Sequence, residues 1–138
     1  MKALTTLIIS AALLSACGNS DSSNASAQAA TSSQKTPVQR GAKVFAKCRA
    51  CHTLDENGRN KVGPNLWGLY GSKTASKEGY AYSKAMRSAN IIWDETSLDA
   101  YLKRPAEFMP GNKMSFIGLK KQEDRDAVQA FLKEKTSP

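Results

Sequence analysis

The 138 residues contain one histidine, His52, and three cysteines, Cys17, Cys48 and Cys51. A structural zinc site normally takes four Cys or His ligands, and Cys17 sits in a separate N-terminal segment, so the chain is short of donors for one. Alternating apolar and polar runs of the strand type are almost absent. A βαβ unit to house a thioredoxin-like CxxC pair is therefore not predicted. The one long apolar stretch, Ala3 to Ala16, is too short to span a bilayer. Acidic residues are also scarce, 12 Asp+Glu against 20 Lys+Arg. Such a balance suits nucleic acid, an anionic surface or an acidic protein partner. The lysines are scattered and no nucleic-acid module is visible, which favours an acidic protein partner and excludes nucleic acid.

What is present is more specific. Cys48-Arg49-Ala50-Cys51-His52 places two thiols three residues apart with histidine directly after, the spacing by which c-type haem is attached covalently. Each thiol closes a thioether onto one haem vinyl group, and the adjacent imidazole is held under the iron as an axial ligand. A structural disulfide between Cys48 and Cys51 would leave the position of His52 without a reason. Covalent haem, one per chain, is the reading that uses all three residues.

The first 16 residues read as a targeting segment, with Lys2 as the positive n-region. The segment ends in Leu14-Ser15-Ala16-Cys17-Gly18, which resembles the lipobox of bacterial lipoproteins and implies a lipid on Cys17. Several acyl chains on one residue would anchor the protein stably, at about 0.8 kcal/mol per buried CH₂. Residues 17–37 hold this Cys and a Ser-, Ala-, Asn- and Thr-rich stretch without apolar periodicity, a flexible linker by composition. As a coil its reach is on the order of 25 Å. The expected domain boundaries are thus 1–16, 17–37 and 38–138. Without residues 1–16 the chain remains basic, 19 Lys+Arg against 12 Asp+Glu.

In the domain, Val44, Phe45 and Cys48 follow helical spacing over Val38 to Ala50. Gly41 lies one turn before Phe45, where a bare backbone would admit a second helix or be a weak spot. Thr53 to Ser76 reads as loop. Short helices are expected over Ser83 to Ser88, capped by Ser83, and from Asp94 or Thr96 to about Arg104, with Leu98, Tyr101 and Leu102 as apolar stripe and Pro105 as stop. Pro110-Gly111 marks a turn. A last helix over about Gln122 to Lys135 places Ala127, Val128, Phe131 and Leu132 on one face. The fold class is all-α, with long loops. A core this thin would gain from a buried macrocycle.

Iron held by His52 needs a sixth ligand or an open position. No second histidine exists, so bis-His ligation within one chain is excluded. A Met thioether is the other common electron-transfer ligand. Met86 falls in an expected helix and fits a core role. Met109 and Met114 flank the Pro110-Gly111 turn, and spacing does not choose between them. A ligating histidine also donates its other ring N–H to an acceptor. Gly63-Pro64-Asn65-Leu66 is one source of such a carbonyl, although Gly-Pro more often marks an ordinary turn.

From Gly41 to Lys135 the chain resembles class I cytochromes c of the mitochondrial-like monohaem type. The resemblance is carried by Gly41-Ala42-Lys43-Val44-Phe45, the Cys48–His52 motif, Val62-Gly63-Pro64-Asn65-Leu66, Gly68-Leu69-Tyr70-Gly71 and Tyr82. It continues in Ile92-Trp93, Leu98-Asp99-Ala100-Tyr101-Leu102 and Pro110-Gly111-Asn112-Lys113-Met114-Ser115-Phe116. It implies the cytochrome c fold, with the terminal helices crossing so that Gly41 and Phe45 meet Val128 and Phe131. It also implies Met114 as sixth ligand, the Pro64 carbonyl as acceptor for His52, and Tyr82 and Trp93 as propionate partners. Tyr101 would lie near the Met sulfur and Phe116 by the exposed haem edge. The family often has Arg where Ser72 stands, a small polar residue at Met86, and paired Lys where this chain has Ala106 and Glu107. Its basic docking ring is therefore only partly retained, through residues such as Lys47, Lys61, Lys113 and Lys120.

With His52 and Met114 on the iron, no position remains for a substrate, and no acid–base or nucleophile–base pair is apparent. The expectation is a monomeric, non-enzymatic, membrane-tethered electron carrier of the bacterial cell envelope, facing the periplasm or outer side. It would serve respiratory (or photosynthetic) redox complexes such as a cytochrome bc1-type complex and a terminal oxidase. The alternative is a haem enzyme or gas-binding protein of peroxidase type, with an open sixth position.

Overall fold

A computed structural model describes residues 35–138; Cys17, the expected lipobox and most of the expected linker lie outside the described residues. Among the described residues five helices follow in order: α1 Pro37–Phe45, α2 Lys84–Ser88, α3 Glu95–Lys103, α4 Pro105–Phe108 and α5 Gln122–Thr136. The only β pairing among the described residues is an isolated antiparallel bridge between Lys73 and Ile92.

Local chemistry sets the helix starts. Thr36 accepts from the backbone N–H of Gln39 at 3.2 Å, and the Gln39 side chain accepts from the Thr36 N–H at 3.1 Å. This reciprocal capping box satisfies two otherwise orphaned donors, and Pro37 in the first turn needs no N–H partner. Ser83 caps α2, and Asp94 with Ser97 forms a second capping box on α3.

Two boundaries differ from the sequence reading. α1 stops at Phe45, five residues short of Ala50, because the chain tightens into turns. The N–H groups of Ala46, Lys47 and Cys48 bond three residues back, to Lys43, Val44 and Phe45, the geometry in which helices wind to an end. Pro105 does end α3, yet it also opens α4 from the N-terminal position that proline favours. Proline reads as a stop from the preceding side, so this helix is invisible to a pattern search.

α1 crosses α5 at Gly41. A β-carbon there would lie 2.0 Å from the Ala127 carbonyl oxygen and 2.6 Å from Phe131 Cβ, so only glycine permits this approach. One turn on, the Phe45 and Phe131 rings pack with centroids 5.4 Å apart. The core gathers Phe45, Leu98, Tyr101, Leu102, Val128 and Leu132, with Trp93, Met109 and Leu119. Arg125 is buried to 3% exposure. Its charge is held by Asp99 at 2.8 Å and by the carbonyls of Leu119 and Lys120 at 2.8 and 3.0 Å. This tie joins α3 to α5 and both to the chain entering α5.

Two expected outcomes test this framework. Gly41→Ala gains about 1 kcal/mol of helix propensity but forces the crossing apart, and a net loss of about 2 kcal/mol is expected in denaturant unfolding. Equal stability of variant and parent would refute the close crossing. For Asp99, partial burial alone would raise the carboxyl pKa, but bonds from Arg125 and Gln122 outweigh it and hold the pKa below the usual carboxylate range. A depressed native pKa means that the stabilisation is present above the unfolded value of about 3.9 and is lost as pH falls below it. Asp99→Asn should therefore flatten the acid limb of a stability–pH curve, whereas an unchanged limb would assign acid unfolding to other carboxylates.

Candidate haem site

The turns after α1 turn the attachment motif toward the protein interior. The N–H of Cys51 bonds the Cys48 carbonyl at 3.0 Å, as does that of His52. The returning loop then pairs with this segment: Gly63 N–H donates to the Cys51 carbonyl at 2.8 Å, and Leu66 N–H to that of Thr53 at 2.9 Å. Gly63 lies flat on the imidazole, since a β-carbon there would come within 2.3–2.8 Å of three His52 ring atoms. His52 Nδ1 lies 2.7 Å from the Pro64 carbonyl oxygen. A carbonyl only accepts, so Nδ1 carries the proton and Nε2 keeps its lone pair for a metal. Burial lowers the His52 pKa, the Pro64 bond opposes this, and Lys61 adds to the lowering. The net effect favours neutral imidazole, the form that coordinates iron.

Asn65 holds this loop. It is buried, and its amide donates to Thr53 Oγ1 at 2.7 Å and to the Asp55 carbonyl at 3.0 Å, while its oxygen accepts from Trp67 N–H at 3.0 Å. Its own N–H donates to Asn60 Oδ1 at 2.9 Å. Sequence reasoning passed over Asn65 and took Gly-Pro for a plausible turn. The available signal was an amide directly after a proline in a loop otherwise without means to satisfy its backbone.

Cys48, Cys51, His52 and Pro64 line one cavity, and the remaining sequence candidates, Tyr82, Trp93, Tyr101, Met114 and Phe116, line it too. Cys17 lies outside the described residues. Spacing left Met109 and Met114 level; in the structure Met109 is packed in the core at 5% exposure, whereas Met114 and Met86 line the cavity. Tyr101 Oη donates toward Met114 Sδ at 3.9 Å. Burial, with a lesser contribution from Tyr80, pushes the Tyr101 pKa up to about 12, so it stays a donor. The Met114 loop is pinned by Asn112, whose oxygen accepts from Met114 N–H at 2.8 Å and whose amide donates to the Pro105 and Met109 carbonyls. Behind it, Leu119 N–H bonds the Leu102 carbonyl at 2.8 Å, returning the loop to α3. Asn112 was a second unread amide.

Tyr82 Oη accepts from Lys77 N–H at 3.3 Å, and its ring meets Tyr80 edge-on at 4.7 Å. Trp93 is buried, with its ring centroid 5.1 Å from that of Tyr101. Both line the cavity, and their roles toward a propionate are what the resemblance implies.

These walls fit a haem. Two thiols and an oriented imidazole come from one short segment and a thioether from another; leucine, valine and aromatic side chains make the apolar wall, and lysines and serines but no Asp or Glu complete it. Burial raises the Cys48 pKa, so that residue presents a thiol, which can add across a vinyl group. When bound, haem supplies a one-electron Fe(III)/Fe(II) couple. The chain's part is to exclude water with the apolar walls, hold His52 neutral through Pro64, and keep the Tyr101 proton beside Met114.

Comparison with known proteins agrees with this geometry. The family model described as cytochrome c matches residues 38–136. A cytochrome c of Chlamydomonas reinhardtii is 48% identical over 101 residues, covering 72% of this chain and 90% of the relative. One from Gibberella zeae is 45% identical over 100 residues, 72% of this chain and 94% of its own length. One from Arabidopsis thaliana is 43% identical over 110 residues, 79% and 98% respectively. With helices, crossing and attachment pair in place, the chain belongs to the cytochrome c family: an all-α electron carrier with covalent haem c, not an enzyme.

Proposed function

We propose that this cytochrome c cycles one electron on an iron bound by His52 and Met114, from a lipid tether at Cys17 in a bacterial cell envelope. The observation that carries the ligand assignment is the shared cavity: His52, with Nδ1 committed to Pro64, and Met114, with its sulfur beside the Tyr101 hydroxyl, line the same space. Two protein ligands leave the iron no open position, which favours the carrier over a peroxidase-type or gas-binding centre. The tether is supported by sequence alone: the apolar start, the Leu14–Gly18 lipobox and the Ser- and Ala-rich linker. Held this way, the domain faces the periplasm or outer side within the reach of its linker.

A cytochrome c passes electrons to and from redox partners of a respiratory chain. The finer reading is that a cytochrome bc1-type complex and a terminal oxidase serve as donor and acceptor, met by a monomer through brief, charge-steered contacts. Lysines around the cavity support this. Lys47 and Lys113 line it, and Lys61 and Lys113 are braced by the carbonyls of Arg49 and Ala81, each at 3.0 Å. Lys120 is exposed farther along the same loop. Val62 and Ile117 are 78% and 85% exposed. Both flank segments that reach the cavity, and they offer apolar contact among these charges.

Absorption spectra and a redox titration test the centre. Met114→Ala should retain covalent haem, lose the thioether–iron charge-transfer band, bind CO and fall in potential, because a thioether ligand raises it. Persistence of the band would refute Met114. Cell fractionation tests the tether: the parent should stay with membranes and Cys17→Ser should become soluble, and equal partitioning of the two would refute lipidation.

A further inference from the structure

We propose that Lys77 supplies the positive charge for the carboxylates of the haem in this cavity and thereby helps set the reduction potential. The inference rests on the haem reading of the site.

A haem is an apolar ring with two carboxylates on one edge, and burying a carboxylate requires a charge partner or several donors. Polar side chains are not spread evenly around this cavity. Many come from one segment, with Ser72, Lys73, Ser76, Lys77, Tyr82 and Ser83 all on the wall, while Lys47, Asn65, Lys113 and Ser115 reach it from elsewhere. No Asp or Glu lines the cavity, so nothing within it competes for a cation.

The cations there are not equivalent. Lys113 donates to the Ala81 carbonyl at 3.0 Å. Lys47 is exposed in the turn before Cys48, on the side of the thiols. Lys73 is exposed, its backbone engaged in the bridge to Ile92. Arg87 is committed to the Tyr82 carbonyl. Lys77 is half-buried within the polar segment, and its backbone N–H donates to the Tyr82 hydroxyl oxygen. That bond leaves the Tyr82 hydrogen to donate elsewhere, and burial raises the Tyr82 pKa so that the hydrogen stays in place. The bond is made by the Lys77 backbone, so its ammonium is not used in it, and Lys77 and Tyr82 bring a charged and a neutral donor to the same wall.

The segment that carries them is held at two points. Asn60 Nδ2 donates to the Glu78 carbonyl at 2.9 Å, and Tyr80 Oη to the Val62 carbonyl at 2.7 Å. Both ties lead to the loop that orients His52. Ser72, where the resembled family often carries Arg, turns its hydroxyl back to the Leu69 carbonyl at 2.7 Å, and adds no charge. Glu78 is exposed beside Lys77 and is the nearest acid along the chain. The other ionisable groups on the cavity wall are Tyr80, Tyr101, His52 and the two thiols.

An ammonium beside a carboxylate lowers the carboxylate pKa, so the group stays ionised through neutral pH and the potential is nearly flat there. Remove the ammonium and two changes follow. The ferric state, with its extra positive charge, is favoured, which lowers the potential. The carboxylate also protonates at higher pH, and each proton taken up favours the ferrous state, so the potential climbs as pH falls.

The test is the reduction potential of the haem-loaded protein from about pH 5 to about pH 8, bracketing a carboxylate whose pKa is raised from its ordinary value. Lys77→Met should lower the potential at neutral pH and move the redox-linked ionisation up by about one pH unit or more. Lys77→Arg should restore the parent profile, and Lys73→Met should change it less. A Lys77→Met protein with normal haem spectrum, unchanged potential and unchanged profile would overturn the assignment. Absence of covalent haem from the parent would overturn the haem reading itself, a result separable by mass and absorption.

Discussion

The crossing of α1 on α5 at Gly41 is the contact on which the rest depends. Backbone meets backbone there because one residue has no side chain, and the chain's two terminal helices are thereby joined. Phe45, just beyond the crossing, and Val128 and Leu132, on the facing helix, are also cavity walls. The same contact therefore closes the fold and places the attachment motif, three residues after Phe45, against the interior. Among the described residues no other pair of helices packs as extensively, and the loop bonds from Gly63 to Cys51 and from Leu66 to Thr53 complete the hold on the motif.

The loops are kept in shape by side-chain amides in place of strands. Residues 53–83 carry no regular ladder, yet their polar backbone has to be satisfied. Asn65 ties Thr53, Asp55 and Trp67 together, Asn60 bridges to Glu78, and Asn112 holds the Met114 turn to Pro105 and Met109. Each amide offers donors and an acceptor at once, which lets one residue close several backbone gaps. These ties bear directly on the centre, because Pro64 and Met114 each adjoin one of the amides.

Charge is divided in the same molecule. The cavity wall has four lysines and no acid. On α3 and α5 the carboxylates of Asp99 and Glu95 are engaged by Arg125 and Lys133. Under the proposed function, the cavity lysines would steer acidic partners from a distance toward the cavity.

Much of the helical frame was readable in the chain itself. Stripes such as Leu98, Tyr101 and Leu102, and Val128 with Leu132, mark buried faces, and Ser83 and Asp94 mark starts, because caps and periodicity are local effects. The attachment motif was readable for the same reason: its chemistry lies within five consecutive residues. By itself, then, the sequence determined an all-α domain, covalent attachment of haem and the exclusion of a second histidine ligand. Tertiary structure decided the rest. Spacing left Met109 and Met114 equal and the family resemblance pointed to Met114; packing puts Met109 in the core and Met114 on the cavity. It ended α1 at Phe45, made Pro105 a beginning as well as a stop, and set Gly63 against His52 and Lys77 beside Tyr82. Each of these depends on which distant segment comes to lie opposite, a pairing set by the closing of the whole chain and carried by no local pattern.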